Sequence, residues 1–186
     1  MMRWYLRLLC LPFVATALAG PVYESSYTSL SEASCRTIAA DESEITTKQH
    51  CPGFGPWGVI VTETDLRQSI TLTRDGKEYP LAFWRTVSPA WSILGEVAEW
   101  RYISSSQDSP FAMIARLNLS ENPAAPDVMT SYLVITKLSE TGICVVGKVP
   151  PVEGGQQNRH AREIADKALS LPCLPDPAPP RMQITP

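Results

Sequence analysis

Gly53, Gly55 and Gly58, within the stretch CPGFGPWG, reproduce the G-x-G-x-x-G spacing that cradles a dinucleotide pyrophosphate. That chemistry needs a buried strand before the glycines and a helix after them, because the first N–H groups of the helix meet the phosphates. The flanks here run the other way. Polar Thr46-Thr47-Lys48-Gln49-His50 precedes the glycines, and β-branched Val59-Ile60-Val61 follows them. Pro56 also removes one N–H from the loop. The stretch is expected to be a turn pinned by a disulfide at Cys51, with Phe54 and Trp57 folding back onto the core. No cofactor and no metal are expected.

Other reactive residue types are sparse. Glu96 and Glu99 are candidates for paired-carboxylate chemistry on glycosides, but three apart on a strand they point to opposite faces. Glu99 and Arg101 share a face and predict a solvent-side charged pair. His50 and His160 are the two imidazoles, and each would need an acid brought to it by the fold to act as a base. Asp65 and Arg67 form a short charged motif that predicts an exposed ion pair, an interaction of small energetic worth. Trp84 and Trp91 flank Ser88-Pro89-Ala90. They predict an aromatic surface for a partner, whereas core packing is the competing role for any tryptophan.

The elements that must position these residues are mostly strands. β-branched residues at 59–63 and clean alternation at 69–73 predict two strands. Asp75-Gly76 predicts a tight hairpin turn, with a returning strand over 78–83 that Pro80 confines to an edge or a bulge. Further strands are expected near 27–30, 35–39, 97–103, 111–119, 131–138 and 143–149. Apolar residues at Ala161, Ile164, Ala165, Ala168 and Leu171 recur at helical spacing and predict a helix over 156–171, with Asn158 as N-cap. The fold class is α+β: a mostly antiparallel β-sheet domain with one C-terminal helix.

Domain organisation follows from the ends of the chain. Arg3 and Arg7, an apolar run through Ala15 and the small residues Ala17-Leu18-Ala19 predict a signal peptide over 1–20. The run is too short to span a bilayer, which takes roughly 20 apolar residues, and the mature chain carries no transmembrane segment. A single disulfide-stabilised domain is expected over 21–173. A Pro-rich disordered tail is expected over 174–186. Removing Arg3 and Arg7 leaves 14 basic against 19 acidic residues, a net charge of −5, which excludes nucleic acid as a partner.

Cys35, Cys51, Cys144 and Cys173 remain after the leader, an even number in an exported chain and hence two disulfides. Three pairings are possible; the local ones, Cys35–Cys51 and Cys144–Cys173, are favoured. A zinc site is disfavoured because no C-x-x-C is present.

The segments CRTI, CPGFGPWGVIVTETDLRQSI, SILGEVAEWRY, PFAMIARL, YLVITKL and GICVVGKV, together with AREIADKAL before the last cysteine, resemble a family of small exported proteins of alphaproteobacteria. The resemblance spans most of 35–173 and implies a periplasmic or secreted location. It transfers no catalytic or binding residue. The expected function is a non-enzymatic binding domain for a protein or envelope component, with Asp65, Arg67, Trp84 and Trp91 as its contact surface. Two alternatives stand beside it: a small exported hydrolase using His50 or His160, and a proteinaceous inhibitor of an exported enzyme.

Overall fold

The computed structural model describes residues 20–41 and 45–176. The expected leader (apart from Gly20) and residues 177–186 of the expected tail lie outside them. Among the described residues ten strands form one sheet: β1 (Tyr23–Ser29), β2 (Arg36–Asp41), β3 (Thr46–Phe54), β4 (Trp57–Thr64), β5 (Arg67–Arg74), β6 (Lys77–Pro80), β7 (Trp91–Ile103), β8 (Ala112–Ser120), β9 (Thr130–Ser139) and β10 (Gly142–Val149). The ladder runs β10-β9-β8-β7-β5-β4-β3-β2, with β1 added to β7 and β6 to β5. Every pairing is antiparallel except the brief β5–β7 contact at Arg67 and Ser92.

The sheet curls over on itself. Phe54 on β3 lies 6.3 Å, ring to ring, from Trp100 on β7, although the two strands are not ladder neighbours. Val59, Val61, Ile70 and Leu72 from β4 and β5 meet Trp100, Met113, Leu117 and Val134 from the other half in one core. Odd residues of β8 enter that core. The even residues Ala112 and Ile114 face the opposite side, against helix α2 (Gln157–Ala165). Three alanines, Ala161, Ala165 and Ala168, are fully buried there, so the helix and the turn after it approach the strands closely.

Several expectations are corrected. The glycine stretch is strand rather than turn up to Phe54; the turn is Gly55-Pro56 alone. A Cβ on Gly53 would lie 1.8 Å from the Trp57 carbonyl oxygen, and Gly55 sits at φ +58 with the Asp108 carbonyl against it. These two glycines serve close backbone approach and a left-handed turn, which accounts for the motif without a phosphate.

The returning strand stops at Pro80 rather than Phe83; one further backbone bond to β5, from the Leu81 N–H to the Ile70 carbonyl at 2.9 Å, follows before the chain turns away. Ala82 then adopts φ +46, and a single-turn helix α1 (Phe83–Thr86) begins. Its first N–H is accepted by the Ser69 hydroxyl at 3.0 Å. Strand β7 begins at Trp91, six residues earlier than expected, and carries a bulge between Leu94 and Ala98. Helix α2 ends at Ala165 and is followed by a 3-10 turn, Ala168–Ser170. Asn158 lies within it, and the N-cap is Gln156.

Both favoured disulfides are present. Arg36 pairs with His50, which places Cys35 opposite Cys51 at a Cα separation of 4.2 Å. Cys144 on β10 joins Cys173 at 5.7 Å. Beyond that staple Leu174 packs against the main core, and its N–H is bonded to the Val145 carbonyl at 2.7 Å. Among the described residues no helix is long and apolar enough to cross a membrane.

Candidate interaction surface around Pro89

The four tryptophans after the leader divide in two. Trp57 and Trp100 are buried, and the Trp100 indole donates to the Thr28 hydroxyl at 2.9 Å. Trp84 is half-buried, and Trp91 is 46% exposed. Phe54 packs inward against Trp100 and Tyr102, so the disulfide-pinned hairpin is not the aromatic surface.

Asp65 and Leu66 form the two-residue turn between β4 and β5, both at positive φ, as the twist of a tight hairpin demands. The turn sets Arg67 at the start of β5. Its Nη1 donates to the Asp65 carboxylate, and its Nε donates to the Pro89 carbonyl at 2.7 Å. One residue on, the Gln68 side-chain oxygen accepts the Leu94 N–H at 2.8 Å, and the Ser92 N–H is bonded to the Leu66 carbonyl at 3.0 Å. The hairpin turn thus clamps the segment from Pro89 to Leu94. Fully buried Phe83 anchors α1 and fixes the helical turn that carries Trp84.

Two grooves result, sharing Arg67 and Pro89 as their common wall. One, about 410 Å³, is lined by Thr64, Asp65 and Trp84. The other, about 580 Å³, is lined by Trp91, Ser120, Glu121, Pro123 and Pro126. Asp65, Arg67, Trp84 and Trp91 are therefore brought together on the two sides of one proline. The loop after β8 supplies the far wall, which the sequence reading did not include. Exposed Leu66, Val128 and Met129 lie on the turn and loop that border these grooves. Glu121 accepts hydrogen bonds from the Tyr132 hydroxyl at 3.1 and 3.2 Å. Burial first, and that carboxylate second, push the Tyr132 phenol above its ordinary range.

Glu99 and Arg101 share a face, but the face is covered rather than solvent-side. Helix α2 lies across it. Glu99 is paired with Arg162 at 2.6 Å, and Arg101 with Asp166. The Ser25 hydroxyl stands between them, donating to Glu99 at 2.6 Å and accepting from Arg101 at 2.6 Å. The bond to Glu99 holds the Arg162 guanidinium above its usual value. Glu96 is exposed on the bulge. The two glutamates lie along one small cleft of about 260 Å³ together with Arg116 and Arg162, where Glu99 is already taken up as a structural acid.

His50 is exposed on β3 and His160 is half-buried on α2. Neither lines the grooves described above. No group of three or more His, Cys, Asp or Glu among the described residues is placed to hold a metal ion. No family model, curated protein or solved structure matches this chain.

Proposed function

We propose that this chain is an exported, disulfide-stapled, non-enzymatic binding domain that meets a protein or envelope component through the surface around Pro89. The carrying observation is the placement of half-buried Trp84 and exposed Trp91 in grooves on either side of a proline that Arg67 holds by a hydrogen bond. Tryptophans are enriched among the few residues that carry most of an interface's binding energy. The two disulfides support an oxidising compartment, the periplasm or the cell exterior. The N-terminal leader pattern and the likeness to exported alphaproteobacterial proteins point to the same place. Affinity capture from native exported extract tests the reading. Wild-type chain retains a partner that Trp91→Ala and Trp84→Ala lose while melting like wild type. Equal capture by all three removes this surface from the function.

A further inference from the structure

The chain leaving helix α2 is led to the candidate surface. The Leu171 carbonyl accepts from Lys137 Nζ at 2.8 Å, Cys173 is bonded to Cys144, and Leu174 lies against β10. Asp176, the last described residue, then pairs with Arg85 Nε at 2.8 Å. Arg85 is the neighbour of Trp84 on α1 and lies four residues before Pro89. The next residues are Pro177-Ala178-Pro179-Pro180-Arg181, within a segment that runs to 186.

From these facts we propose that residues 177–186 dock in cis on the surface around Pro89, with the prolines against Trp84 and Trp91 and Arg181 beside Glu121. This rests on the reading of that surface as a binding surface and names its resident ligand. Reach is sufficient: ten residues of polyproline II backbone extend about 31 Å. Chemistry is matched. Prolines confine themselves and the residues before them to extended backbone, and such segments bind in grooves walled by aromatic rings. The larger groove offers Trp91 together with Pro89, Pro123 and Pro126. Glu121 at its end has only a tyrosine hydroxyl as partner and no cation among the described residues. A guanidinium delivered there completes a charge-assisted pair. A partner of this surface therefore competes with the chain's own tail.

The test compares the full mature chain with the variant Pro179→Ala/Pro180→Ala/Arg181→Ala, whose changes all fall beyond Asp176, the last described residue. The indole N–H resonances of Trp84 and Trp91 shift in the variant, and their fluorescence is quenched more readily by acrylamide. Trp57 and Trp100, both buried, stay in place as internal controls. The wild-type spectrum is independent of protein concentration. Superimposable Trp84 and Trp91 resonances overturn the proposal. So does a pattern that appears only at high concentration, which assigns the tail to a second copy. If the tail variant leaves both indoles unmoved while Trp91→Ala abolishes partner capture, the tail proposal falls and the surface reading stands. If the indoles shift and Trp91→Ala captures normally, the surface serves the tail alone.

Discussion

Arg101 on β7 and Asp166 at the end of helix α2 form a two-pronged pair, Nε to Oδ1 at 2.9 Å and Nη2 to Oδ2 at 3.0 Å, across 65 residues of sequence. Arg101 is 6% exposed, so its charge depends on this partner and on Ser25. Removing one member of such a pair leaves a cation under the helix without its counterion. Asp166→Ala is expected to cost about 2–3 kcal/mol, the lower side of what buried pairs lose, because the carboxylate keeps some solvent contact. Arg101→Met, which removes the charge and keeps the stem, costs less. Urea melts of the two variants check this, and equal losses would show that packing rather than charge holds the helix.

Thr136 points into the main core. It pairs across the ladder with Met113 and Val145, both core residues. Its hydroxyl is fully buried and has no hydrogen-bond partner. An unsatisfied buried hydroxyl is a net cost. Thr136→Val keeps the branched shape and is expected to stabilise by about 1 kcal/mol, or about 2–4 °C in Tm. A calorimetric scan showing a lower Tm would mean that the hydroxyl finds a partner in solution.

How much of this was legible in the sequence differed by element, for physical reasons. The hairpin of β4, β5 and β6 announces itself through Val59-Ile60-Val61, the alternation at Ile70 and Leu72, and Asp75-Gly76. The first half of β3 does not, because Thr46 to His50 face solvent on most positions and carry no apolar period. The start of β7 is hidden by its bulge, where Gly95 and Glu96 break the alternation. The disulfides follow from locality. For the surface, the seven-residue spacing of Trp84 and Trp91 about Pro89 pointed to one face. The wall formed by Glu121, Pro123 and Pro126 depends on the pairing of β7 with β8, a contact that no local pattern encodes. The cover that α2 places over Glu99 and Arg101 is likewise a matter of long-range packing.

Tyr102 and Tyr132 give the fold an alkaline limit. Burial raises both phenols first, and hydrogen bonds to Glu24 and Glu121 raise them further. The unfolded chain titrates near the ordinary value of about 10. A folded pKa above the unfolded one means that the stabilisation is complete below about pH 10 and is lost as pH climbs through the folded value. Native-state titration of the two rings by carbon NMR is expected to show both above the ordinary value, returning to it in denaturant. Tyr132→Phe removes one of the two groups and flattens the alkaline loss of stability. An unchanged pH profile in that variant would assign the limit elsewhere.

Gly53 decides what the glycine motif is for. Its missing side chain lets the Trp57 carbonyl come within 1.8 Å of where a Cβ would stand, and the Trp57 carbonyl carbon and Gly58 Cα are also closer than 3.0 Å. All three atoms are backbone, so no side chain can move aside. Gly53→Ala must spread the β3–β4 hairpin beside the Cys35–Cys51 staple and displace Trp57, whose ring packs on Tyr79 at 6.0 Å and under Arg74 at 5.2 Å. The expected cost is about 2–3 kcal/mol, in the range of strained backbone substitutions. Gly76→Ala is the contrasting control: φ is +72 there, but nothing lies within 4 Å of the added methyl. It loses only the turn's conformational preference, about 1 kcal/mol. Thermal melts of the two variants separate close approach from turn geometry. A Gly53→Ala chain as stable as wild type would return the motif to the search for a ligand.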